Sequence, residues 1–253
     1  MNTLIISDLH LGARNSRTDL IAELLEGDFD RLVLNGDTVD APDLRRFRPR
    51  DWRVIDALRT AARSRELVLV RGNHDVPARG DPARAAGLLS GLLGTELRNE
   101  YALDVGGEPY LVVHGDRFDV TINLTWVGDV ADLIYRGVQR LSRPAARALK
   151  AGSKHVCGVA GAVQGGALAY ARERGFAGVI TGHTHFHHDE HIDGLHYLNT
   201  GCWVDHPCSY VQVQDGVARL RHWLPGGAVV PAKRIPRLGK RGIRAGVGSY
   251  GHT

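Results

Sequence analysis

The chain opens on a short apolar run, TLIIS at 3–7, and charged and polar residues follow at once in DLHLG. Two similar runs recur, RLVLN at 31–35 and ELVLVR at 66–71. Continuous apolar runs of this length read as buried strands. Between the first two, Leu20, Ile21, Leu24 and Leu25 fall at helical spacing, and residues 51–64 carry a second helical pattern. This βαβα rhythm predicts an α/β fold with a helix-covered sheet. YALDVGGEPYLVVHG at 101–115 then places Gly106-Gly107 between two strand-like runs, the pattern of a hairpin.

Beyond Arg117 the pattern changes. Leu124, Val127, Ala131, Ile134, Val138 and Leu141 step by three and four, so one helix face is apolar, and Pro144 ends the run. A second, Ala- and Gly-rich helical stretch is expected from about 145 to 174, in pieces because of its glycines. Strands are expected at 177–181, 188–192, 195–199 and 208–214, with a last one near 217–223. The resulting organisation is one domain over 1–225 with a helical insertion at about 117–174, followed by a loose tail over 226–253.

Composition adds limits. With 253 residues, 43% hydrophobic and 24% charged, the chain can bury a full core and is ordinary for a soluble protein. No apolar stretch reaches the 18 residues or so of a membrane span, and MNTLIISDLHLG reads as a first strand rather than a secretion signal. Cys157, Cys202 and Cys208 lack CxxC spacing, so a reducing, cytoplasmic setting is the expectation. From Leu224 onward there are six Lys/Arg and no Asp/Glu; these exceed the whole net charge of +4 and leave −2 for the rest. The body therefore gives no reason to expect nucleic acid binding. The basic tail suits either plain solvation or attraction to an anionic membrane surface.

The chemistry lies where polar residues meet strand ends. Asp8 and His10 follow the first strand, Asp37 the second, and Asn73, His74 and Asp75 the third. His114 ends another strand, and His183 and His185 follow a further one. Ligands of open α/β sheets bind at that edge. Gly36, Gly72, Gly115 and Gly182 flank these groups and permit close backbone approach. Asp8 and His10, like His183 and His185, are two apart, so on extended chain each pair can face one way. Carboxylate, imidazole and amide oxygen together suit Mn, Fe or Zn. Seven such ligands (Asp8, His10, Asp37, Asn73, His114, His183, His185) exceed what one ion needs and fit two ions bridged by a carboxylate.

DLHLG, GDTVD, GNHD, HGD and GHTH, in this order over about 4–206, resemble the calcineurin-like metallophosphoesterases. The resemblance implies a two-layer β-sandwich flanked by α-helices, with a helical cap insertion and a dinuclear centre. It implies Asp8, His10, Asp37 and His185 on one divalent ion, Mn first and Fe or Zn as alternatives. Asp37, Asn73, His114 and His183 would hold the second, with Asp37 bridging. The activity implied is hydrolysis of a P–O bond by hydroxide generated between the ions. His74 is placed to touch the phosphate or protonate the leaving oxygen, and Asp75 either orients it or supports the loop. His187, His188 and His191 are expected as neighbours at the rim.

The insertion between HGD and GHTH, and YLNTGCWVD at 197–205, resemble the UDP-2,3-diacylglucosamine pyrophosphatase group. That implies a nucleotide-linked lipid substrate, acyl chains in the cap, and peripheral membrane contact through cap or tail. GNHD where that group carries Arg, and WVD for its WVE, depart from its pattern. A soluble phosphoester (a cyclic nucleotide, nucleotide sugar or phosphoprotein) and a non-catalytic metal-binding scaffold are the alternative readings.

Overall fold

A computed structural model describes residues 1–77, 80–119, 154–227 and 229–231. Two sheets lie within them. In the larger, β1 (Thr3–Ile6), β2 (Arg31–Asn35), β3 (Glu66–Val70) and β4 (Leu97–Arg98) run parallel. β10 (Cys208–Gln214), β11 (Val217–Trp223) and β12 (Val229–Pro231) extend it antiparallel from β1. The smaller sheet has the order β5 (Tyr101–Val105), β6 (Glu108–Val112), β7 (Gly178–Thr181), β9 (Leu195–Asn199), β8 (His188–Ile192). Its three middle strands, β6, β7 and β9, are parallel.

Strand alternation sorts the core into layers. Ile5, Val33, Val68 and Val70 of the larger sheet face Val112, Ile180 and Leu198 of the smaller one, forming the interior of the sandwich. The alternate residues Leu4, Ile6, Leu32, Leu34 and Leu69 face outward. They are covered by α1 (Thr18–Leu25), α2 (Pro49–Ser64) and α3 (Pro82–Leu93). On the far side Leu111, Val113, Val179 and Tyr197 pack against Ala167, Leu168 and Ala171 of α4 (Lys154–Glu173). The expected sandwich flanked by helices is therefore present.

Three differences from the sequence reading have physical causes. The second helical stretch was expected in pieces, but its described part is the unbroken α4. Gly158, Gly161 and Gly165 have open space around them, and Gly166 lies against Phe118 where a Cβ would crowd the ring. α3 was missed, although Asp81 caps it, Pro82 opens it and Gly94 closes it in the left-handed conformation. Finally, Val229–Pro231, assigned to the loose tail, pairs with β11. The apolar run 124–141 and the remaining tail lie outside the described residues.

Candidate metal centre

Parallel order puts the C-terminal ends of β1, β2 and β3 side by side, and those of β6 and β7 side by side on the facing sheet. The segments leaving those ends are then tied together through the backbone. Asp8 N–H donates to the Gly36 carbonyl (3.0 Å), His10 N–H to the Asp37 carbonyl (3.0 Å), and Gly182 N–H to the His114 carbonyl (2.9 Å). Asn199 reaches from β9 to donate to the Gly182 carbonyl (2.7 Å), and Trp203 N–H donates to the Asp8 carbonyl (3.1 Å). Trp203 itself is fully buried against the helix side. Asn199 and Trp203, both from YLNTGCWVD, thus brace the loops of the centre.

The backbone here is strained. Asp8, His10, Asp37, His183 and His185 all have φ between 46° and 65°. Among the described non-glycine residues the only others at positive φ are Asp193 and Asp215, each in a hairpin turn before a glycine. Left-handed backbone costs an L-residue on the order of 1–2 kcal/mol and persists where the surroundings impose it, commonly at functional sites. This corrects one expectation: the pairs Asp8/His10 and His183/His185 gather by left-handed turns rather than along extended chain. Gly72 serves the same crowding, since a Cβ there would collide with the Asp37 carboxylate.

The side chains gather into groups. One ligand atom each from Asp8, His10 and His185 lies within 4.8 Å of the others, and the same holds for Asp37, His114 and His183. Asp37 Oδ2 sits between the groups, 3.8 Å from His10 Nε2 and 3.3 Å from His114 Nε2. His10 Nε2 and His185 Nε2 are 3.3 Å apart, and His185 Nε2 is 3.1 Å from Asp8 Oδ1. Yet Asp8 Oδ1, Asn73 Oδ1 and His114 Nε2 are buried without a hydrogen bond of acceptable geometry. Short separation without hydrogen-bond direction is what lone pairs aimed at a common point produce. Two ligand atoms each about 2.1 Å from one cation lie about 3.0–3.4 Å apart. The donor set therefore fits divalent cations.

Hydrogen bonds on the outer nitrogens fix the ring orientations. His114 Nδ1 donates to the Asn35 carbonyl (2.8 Å), leaving Nε2 facing Asp37. His183 Nε2 pairs with Asp119 Oδ2 (3.0 Å), which leaves Nδ1 for a ligand. His10 Nδ1 lies 3.6 Å from Asp40 Oδ1. Burial disfavours charge on His114, but the Asp37 carboxylate outweighs it and raises His114 to about 10. Burial likewise opposes charge on Asp37, and His114 nonetheless holds it well below the usual carboxylate range. A bound cation would take the place of that imidazolium proton.

His74 forms a third such cluster with His10 and Asp40, and Asp75 follows it in the chain. His74 N–H donates to Asp37 Oδ1 (2.8 Å), and its ring Nδ1 donates to the Asp40 carbonyl (3.0 Å). Asp75 was read as either orienting His74 or supporting the loop. Its oxygens accept from Val39 N–H and Gly72 N–H, both at 3.0 Å, while the Asp40 carbonyl holds the His74 ring. Burial, then the nearby Asp37 charge, pushes Asp75 up to about 7. His187 packs on His222 (4.6 Å between centroids), His188 pairs with Glu190 (3.1 Å) and His191 stacks on His196 (4.1 Å). None of these three belongs to the groups above.

Two residues were missed. Asp40 and Asp119 both stand inside motifs already singled out, three positions past Asp37 in GDTVD and five past His114 in HGDRFD. We expect Asp119→Ala to weaken binding of one of two ions by roughly 10–100-fold while leaving the other. Calorimetric titration with Mn2+ checks this; two unchanged binding steps would remove Asp119 from the centre.

A helix-flanked sandwich with carboxylates and imidazoles crowded at one strand-end face defines a class of metal-site α/β proteins. The chain belongs to the calcineurin-like phosphoesterase family, whose profile matches residues 1–187. No curated protein matches it. Among solved structures it is similar to a single-residue variant of Vps29 from Entamoeba histolytica, 16% identical over 92% of this chain and 100% of that one (TM-score 0.48). It is also similar to Yfce, a phosphoesterase from E. coli, 15% identical over 91% and 97% (TM-score 0.49). A third is an archaeal phosphodiesterase, 12% identical over 88% and 99% (TM-score 0.47).

Proposed function

We propose that the chain is a metal-dependent phosphoester hydrolase. Asp8, His10, Asp37 and His185 would hold one divalent ion, and Asp37, Asn73, His114 and His183 the other, with Mn the first candidate and Fe or Zn next. The observation that carries this reading is the crowding of the Asp8–His10–His185 and Asp37–His114–His183 groups at one face, on five residues of left-handed backbone. When bound, the ions supply charge for the phosphate oxygens and a nucleophilic hydroxide near neutral pH. The chain does the rest. Its second carboxylates and carbonyls hold the imidazole rings in one orientation. His74, with Nδ1–H fixed on the Asp40 carbonyl, presents Nε2 as the atom that delivers a proton to the leaving oxygen.

The finer reading is a nucleotide-linked lipid such as UDP-2,3-diacylglucosamine, cleaved at its pyrophosphate. Its support is the segment between HGD and GHTH with its apolar stripe, together with the basic tail as a peripheral membrane contact. Among the described residues no helix is long and apolar enough to cross a membrane. Elemental analysis with a screen of UDP-lipid, cyclic nucleotide and phosphomonoester substrates tests the proposal. Turnover of the UDP-lipid well above the others is expected. Preference for a water-soluble ester would replace the lipid reading, and a metal-replete chain inert on every ester would be a scaffold.

A further inference from the structure

Beside the centre, two loops are stitched into one wall. Residues 11–17 follow His10, and residues 40–53 follow Asp37. Asp51, fully buried at the start of α2, joins them: Oδ1 accepts from Gly12 N–H (3.0 Å) and Oδ2 from Arg48 N–H (2.8 Å). Phe47 lies over Gly12, where an added Cβ would come within 3.3 Å of its ring. The Phe47 ring packs against Trp52 (5.2 Å between centroids), and Trp52 is an exposed large hydrophobic. The wall holds seven arginines against three aspartates, one of them the buried Asp51, although the chain before Leu224 is net acidic. The stretches that follow these two ligand positions are thus rich in cations, of which Arg17 pairs with Asp19 and Arg45 with Asp43.

Arg46 connects this wall to the centre. Its guanidinium pairs with the Asp40 carboxylate, whose other oxygen lies 3.6 Å from His10 Nδ1. The Arg46 side chain is 44% exposed. A guanidinium has five donors in a planar fork, so one carboxylate contact leaves others for a phosphate. Resting on the phosphoesterase reading, we propose that this wall is a subsite for the nucleoside-phosphate half of the substrate. Arg46 takes a phosphate group next to the one being cleaved, and the Phe47–Trp52 edge takes the base. Charged donors with an exposed aromatic ring are the combination that binds nucleotides without reading their sequence.

Calorimetry on the Mn2+-loaded chain, with UDP and inorganic phosphate as probes, tests this. UDP should bind at least about tenfold more tightly than phosphate. Arg46→Ala and Trp52→Ala should each cost about tenfold in UDP affinity and much less in phosphate affinity. Arg46→Lys should restore part of the UDP affinity, since it keeps the charge without the fork. Equal losses for both probes in Arg46→Ala would make Arg46 only an anchor for Asp40 and overturn the proposal. UDP affinity unchanged in Trp52→Ala would remove the base from it. Failure of the hydrolase reading shows separately, as absent turnover of bis(p-nitrophenyl) phosphate in a chain that still prefers UDP.

Discussion

Asp37→Ala is expected to remove metal binding and turnover together. The Asp37 carboxylate reaches both ligand groups, with His10 Nε2 at 3.8 Å and His114 Nε2 at 3.3 Å from the same oxygen. Its other oxygen accepts from His74 N–H, so the same side chain also places the loop that carries Asn73. Alanine would leave His114 Nε2 buried without a charge partner and, on the proposed assignment, would take a shared ligand from both ions. Loss of charge stabilisation worth several kcal/mol corresponds to about 10³-fold or more in rate. Asp37→Asn, which keeps the volume, should fail nearly as badly because a neutral amide cannot bridge two cations as a carboxylate does. Elemental analysis, turnover of bis(p-nitrophenyl) phosphate and a far-ultraviolet circular dichroism spectrum check this together. A folded variant with two ions and normal rate would sink the site assignment.

The layered fold could be read from the chain because its first three strands are buried on both faces. Leu4, Ile5 and Ile6 serve the helix side and the sandwich interior in turn, and such strands read as unbroken apolar runs. α3 escaped because it buries just Ala85, Leu89 and Leu93, about one residue per turn, too narrow a stripe to stand out. The glycines of α4 misled for the opposite reason. A helix held by tertiary packing tolerates glycine on its open face, and intrinsic propensity could not foresee the stripe of Val163, Ala167 and Ala171 that holds it. The proposed ligands were visible because each follows a strand directly. Asp40 and Asp119 were not, since their role depends on which imidazole nitrogen lies nearby after folding. The direction of the Asp75 carboxylate likewise depends on where Val39 N–H arrives from the segment after β2.

His74→Ala is expected to lower kcat by about 10²–10⁴ while leaving metal stoichiometry intact. The separation of these two effects follows from how His74 is attached. Its bond to Asp37 runs through the backbone N–H, which alanine keeps, so the bridging carboxylate stays in place. Its ring belongs to neither the Asp8–His10–His185 nor the Asp37–His114–His183 group, but clusters with His10 and Asp40. The ring meets His10 edge-on, 4.7 Å between centroids, so removing it opens space beside the centre without removing a proposed ligand. With Nδ1–H committed to the Asp40 carbonyl, the ring can donate from Nε2 only as the imidazolium. Proton delivery matters most when the leaving group is a poor one. The loss should therefore be large for an alkyl phosphodiester and much smaller for a p-nitrophenyl ester, whose phenolate leaves unaided. Comparing kcat for the two esters in His74→Ala and wild type distinguishes the roles. A loss that is the same for both would mean that His74 holds the phosphate rather than the proton.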